Sequence, residues 1–171
     1  MELTEQERYE KIDMPFYKEV ISPILPDEIL DFHAHSWKAD QWIVQNKNNT
    51  TSQDAASQDA CANKALDSAS LGGLPASRYM TTELEYSIEK LLEDGKRIFP
   101  DKEYNAVCFG QPTPAVDINM TNDYIAKYSG TKGLYPLRVT GKGKVPAEVL
   151  KQEILEKGYY GYKVYLDWIG N

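Results

Sequence analysis

The chain has 171 residues, with 19 Lys+Arg against 26 Asp+Glu and a formal net charge of −7. That length holds one domain and hardly two, and the acidic balance disfavours a nucleic-acid surface because the few basic residues do not cluster. No stretch approaches the roughly 20 apolar residues of a membrane helix, the start Met1-Glu2-Leu3-Thr4-Glu5 lacks the features of a secretory signal, and Cys61 and Cys108 form no CxxC pair. The expectation is a single cytoplasmic domain with neither nucleic-acid nor membrane partners.

In chain order, residues 1–28 show an amphipathic hint in Tyr9, Ile12, Phe16 and Val20. Pro15, Pro23 and Pro26 lack the N–H that a helix interior needs, which predicts a packed N-terminal arm with only a short helix. From Glu28 to His35, Leu30, Phe32 and Ala34 alternate with Asp31, His33 and His35. Period-2 alternation predicts a strand, with Phe32 and Ala34 packed outward against helices and Asp31 on the face of the two histidines. Residues 46–70 are rich in Asn, Thr, Ser, Gln, Asp and Ala, and Ser52-Gln53-Asp54-Ala55 recurs as Ser57-Gln58-Asp59-Ala60. This reads as a polar, low-complexity insertion after the first strand, unable to build a core of its own.

Thr82 and Glu85 have the spacing of a capping box. Leu84, Ile88, Leu91 and Leu92 continue as one apolar stripe of a helix reaching about Ile98. Residues 106–109 read as a buried strand ending at Gly110, 118–128 as a helix and 134–139 as a strand. Pro146 and Gly158 bracket a third helix, proline at its start and glycine just past its end, with Val149, Leu150, Ile154 and Leu155 as its buried face. Residues 162–166 complete the pattern as a fourth strand.

Strands alternating with helices predict βαβ units and a parallel sheet, hence an α/β fold. Four such strands make either a small doubly wound sheet or half of a (β/α)8 barrel. A full barrel typically takes about 250 residues, so the expectation is one incomplete domain over 1–171, of about four βα units. Its open sheet edges favour pairing with a second copy.

The chemistry concentrates in His33-Ala34-His35, which contains the only two histidines of the chain. Residues two apart on a strand point to one side, so both imidazoles can reach one divalent ion. The end of the first strand is also where parallel α/β folds bind ligands. Ile29-Leu30-Asp31-Phe32-His33-Ala34-His35 resembles the first strand of the amidohydrolase superfamily, whose D-x-H-x-H element supplies two metal ligands. Phe109-Gly110-Gln111-Pro112, Asn122-Asp123-Tyr124-Ile125, Leu134-Tyr135-Pro136-Leu137 and the run from Gly158 to Tyr165 resemble later elements of its amidohydrolase-related branch, which includes aminocarboxymuconate-semialdehyde decarboxylase.

That resemblance implies a partial TIM-type barrel of the metal-dependent hydrolase fold. It implies a zinc or other divalent ion on His33 and His35, with Asp31 supporting them. It also implies a lysine at the end of the fourth strand, here Lys163, which in some members is carboxylated and bridges two metals. A lysine paired with an acid, or snorkelling to the barrel mouth, is the plainer alternative for Lys163. The implied activity is hydrolysis of a small-molecule amide, ester or lactone by a metal-activated water; decarboxylation on the same fold is the alternative. The family's remaining ligands and its catalytic acid would lie beyond Asn171, so the 171-residue chain is expected to be inactive by itself. Arg138, at the end of the third strand, is expected in a surface salt bridge, with contact to an anionic substrate group as the alternative; Trp37 is expected in the pocket wall or the core, and Cys108 as a buried small hydrophobe.

Overall fold

The computed structural model describes residues 2–42, 85–113, 116–141 and 145–165. The insertion assigned to 46–70, Thr82 and Leu84 lie outside the described residues, so the expected capping box does too. Four strands, β1 (Glu28–His35), β2 (Glu103–Phe109), β3 (Leu134–Gly141) and β4 (Gly161–Tyr165), form one sheet in the order β1-β2-β3-β4. All three pairings are parallel, and the sheet curls into a half-barrel. A doubly wound sheet reverses its strand order at a switch point. This sequential order has no reversal, which removes that alternative for the described strands.

Among the described residues, three helices lie between the strands: α1 (Ile88–Ile98), α2 (Ile118–Ala126) and α3 (Ala147–Lys157). The first begins later than the sequence pattern indicates, because Ser87 caps it by accepting the Lys90 N–H at 3.3 Å. Glu85 is drawn instead into an ion pair with Lys38. Asp117 caps α2, accepting the Asn119 and Met120 N–H groups at 2.9 and 3.1 Å. Pro146 precedes α3, and Gly158 ends it at φ 72°, a left-handed backbone that glycine adopts without a Cβ penalty.

Helices and strands share one core on the outer face of the sheet: Ala34, Ala106, Cys108 and Leu134 from the strands meet Ile88, Leu91, Tyr124 and Ile125 from α1 and α2. Asn122 pins α2 to β3, its amide accepting the Val139 N–H at 2.8 Å and donating to the Val139 carbonyl at 3.0 Å. The third helix departs from expectation. Of its expected buried face, Leu150 and Ile154 are half-buried whereas Val149 and Leu155 are exposed, and α3 buries no residue fully. One tie to the sheet is polar, an ion pair of Glu153 with Arg138 at 2.5 Å.

The N-terminal segment also differs from the expected short helix. Residues 5–24 are helical throughout, with π-helical turns at Tyr9–Asp13 and Tyr17–Ile21 alternating with tighter ones. In these wide turns the hydrogen bonds reach back five residues, as Met14 N–H to Tyr9 O and Ser22 N–H to Tyr17 O show. Two of the three prolines are absorbed where such turns change type, Pro15 and Pro23 each falling at the start of a short tight turn. Tyr9 Oη donates to Arg97 O at 2.7 Å, and Tyr17 and Ser22 both donate to Asp101, fastening this run to α1 and the turn after it. Among the described residues no helix is long and apolar enough to cross a membrane.

Candidate functional site

The site begins with an irregularity in β1. Asp31 aligns with Ala106 and Ala34 with Cys108, so β1 spends three residues where β2 spends two. This is a β-bulge, in which one extra residue is left out of the pairing. Asp31 stabilises it by accepting the His33 N–H at 3.0 Å and the Tyr104 hydroxyl at 2.9 Å. The bulge corrects the parity inferred from sequence. Asp31 lies with Ala34 on the outer face, in a groove of about 280 Å3 that also holds Tyr86, Leu91 and Tyr104. Phe32 is not packed against a helix; it is 75% exposed.

Beyond the bulge, His33 and His35 share the concave face. Their ring centroids are 5.2 Å apart, and both meet Phe109 edge-on, at 5.0 and 4.5 Å. His35 Nδ1 lies 3.1 Å from Gly110 O, and its Nε2 lies 3.2 Å from the Tyr165 hydroxyl. A carbonyl only accepts, so Nδ1 carries the proton; in a neutral ring Nε2 then has the lone pair, and Tyr165 donates to it. Burial lowers the pKa of His35 to about 4, with the charges of His33 and Lys163 acting in the same direction and the Gly110 carbonyl opposing them. Burial and then the Lys163 charge lower that of His33, against a smaller opposing pull from Asp31. Both rings are therefore neutral at pH 7, the form that binds metal ions.

Lys163 reaches the same face from β4. Its Nζ sits 5.2 Å from the Phe109 ring centroid and 5.5 Å from that of Tyr165, as a cation over two aromatic faces. The structure thus brings His33, His35 and Lys163 together and leaves Asp31 behind the sheet. Among the described residues, no group of three or more His, Cys, Asp or Glu side chains is gathered as a ligand set.

The neighbours the sequence reading missed are Phe109, Gly110 and Tyr165. Each lies at or just past a strand end, so alternation could have flagged them, but their convergence on His35 is tertiary. Comparison of the chain with protein-family models, with curated proteins and with solved structures found no match.

The remaining candidates occupy structural positions. Arg138 is buried, not superficial: it lies on the outer face, paired to Glu153, and its guanidinium also donates to Val139 O at 3.1 Å. Trp37 is core, its ring tilted against that of Tyr86 with centroids 5.6 Å apart, and the two backbones form an antiparallel bridge. Cys108 is fully buried, and burial pushes its thiol up to about 11.

Two neutral imidazoles stand side by side, and His35 commits one nitrogen to a backbone carbonyl, the arrangement that orients metal-bound histidines and fixes their tautomer. His33 has no ring hydrogen bond to another described residue.

Proposed function

We propose that this chain carries part of the site of a metal-dependent hydrolase of the amidohydrolase type, acting in the cytoplasm on a small molecule. The carrying observation is the pair of neutral imidazoles at the end of β1, with His35 oriented by Gly110 O. The four curled strands are read as half of a (β/α)8 barrel, which puts the pair at the C-terminal face where such barrels do their chemistry. His33 and His35 would hold a divalent ion, most simply zinc, which takes imidazole nitrogens as ligands. When bound, the ion supplies Lewis acidity toward a carbonyl and lowers the pKa of a coordinated water.

The chain's own residues do the positioning. Phe109 buttresses both rings, Gly110 sets the tautomer, and Asp31 holds the bulge from behind. Lys163 is the third candidate ligand. As an ammonium it has no lone pair to give, so that role belongs to its carboxylated form. The test is zinc binding by the full chain beside H33A and H35A, with folding checked by circular dichroism. Each substitution should weaken binding by at least about tenfold. Equal zinc content in all three proteins would end the proposal.

A further inference from the structure

Tyr165 touches both groups on which the candidate site depends. Its hydroxyl donates to His35 Nε2 at 3.2 Å, and its ring carries the Lys163 ammonium at 5.5 Å. Gly110 O already holds Nδ1. Nε2 is therefore the one nitrogen of His35 from which an ion can be bound, and it is the nitrogen that Tyr165 occupies. A phenol keeps its proton near neutral pH, so the hydroxyl is a donor here and no anionic ligand.

We propose that Tyr165 is a latch on the metal site: its hydroxyl stands in for the ion on His35 Nε2 and must swing away before the ion binds. The proposal rests on the reading of His35 as a ligand and assigns to β4 the control of access to it. The latch keeps Nε2 hydrogen-bonded when the site is empty, so the half-buried ring is not left with an unsatisfied lone pair. It also biases the empty His35 toward the tautomer that ligation needs. The cost is competition, since binding the ion forfeits one hydrogen bond.

The decisive variant is Y165F, which keeps the ring over Lys163 and removes only the hydroxyl. In the metal-free full chain, imidazole nitrogen NMR should find His35 as the Nδ1–H tautomer. In Y165F the Nε2 resonance should move toward that of an unbonded acceptor while His33 stays in place. Zinc should bind Y165F about fivefold more tightly than the unsubstituted chain, the equivalent of one hydrogen bond's net worth. An unmoved Nε2 resonance, an Nε2–H tautomer in the unsubstituted chain, or zinc affinity unchanged or reduced in Y165F would each overturn the latch. Failure of the ligand reading shows elsewhere, as zinc affinity indifferent to H33A and H35A.

Discussion

A half-buried imidazole and a fully buried thiol both have their acid-base chemistry altered by their surroundings, and both alterations begin with desolvation. For His35 the result is a ring that stays neutral well below pH 6. For Cys108 it is a thiol that resists ionisation, raised from 9 to about 11 inside the outer core. Between those values an unfolded chain releases a proton that the folded chain retains, so stability falls as pH rises from 9 to 11. The loss reaches at most about 3 kcal/mol. Chemical denaturation at pH 8 and pH 11 should show a smaller drop for C108A than for the unsubstituted chain. In a C61S background, iodoacetamide at pH 8 should label native Cys108 roughly a hundredfold more slowly than the unfolded chain, since attack requires opening of the core. Labelling at the unfolded rate would place Cys108 outside a packed interior.

At the scale of elements, α1 shows how little room separates helix from sheet. A Cβ at Gly95 would come within 2.3 Å of the Tyr104 ring. That ring has little freedom to give, being stacked near Phe99 and held by its hydroxyl to Asp31. Alanine would add about 1 kcal/mol of intrinsic helix propensity, yet overpacking of this kind costs about 1–3 kcal/mol. Gly95→Ala should therefore lower stability in urea denaturation despite the better helix former; a gain would mean that the contact yields freely. Much of this layout was legible beforehand. The alternation in β1, the apolar run of β2, and Pro146 with Gly158 are local signals, and local geometry obeyed them. The N-terminal run was misread because Pro15 and Pro23 fall at the changes of turn type, at the start of short tight turns where a missing N–H is tolerated. The outer side of α3 was misread because periodicity reports an apolar stripe but not whether anything covers it. At the site, the spacing of His33 and His35 was legible. The contacts of His35 with Gly110 and Tyr165 were not, since they join residues 75 and 130 positions apart.

For the molecule as a whole, the sheet divides two kinds of chemistry. The outer face holds the packed core and the buried ion pair of Arg138 and Glu153. The concave face gathers imidazoles, a phenol and an ammonium around Phe109. Sequential parallel strands with helices on a single side produce that division without further instruction, because each crossover returns over the same face. Only β1 had to be adjusted to obey it.

That adjustment makes β1 a strand with a phase change written into it. Read without the bulge, the segment from Asp31 to His35 would carry its acid and both imidazoles on one side, mixing scaffold with site. Phe32 is the residue that can be subtracted: without it, Asp31, His33, Ala34 and His35 alternate outward, inward, outward, inward as a regular strand. A chain lacking Phe32 should therefore keep both imidazoles on the concave face and bind zinc within a few-fold of the original, since the removed side chain is largely exposed and a slip of one residue is what reverses a strand's faces. If the deletion abolishes both folding and zinc binding, the extra residue serves more than register. If it preserves them, one surface phenylalanine is the spacer that lets a seven-residue pattern occupy eight positions.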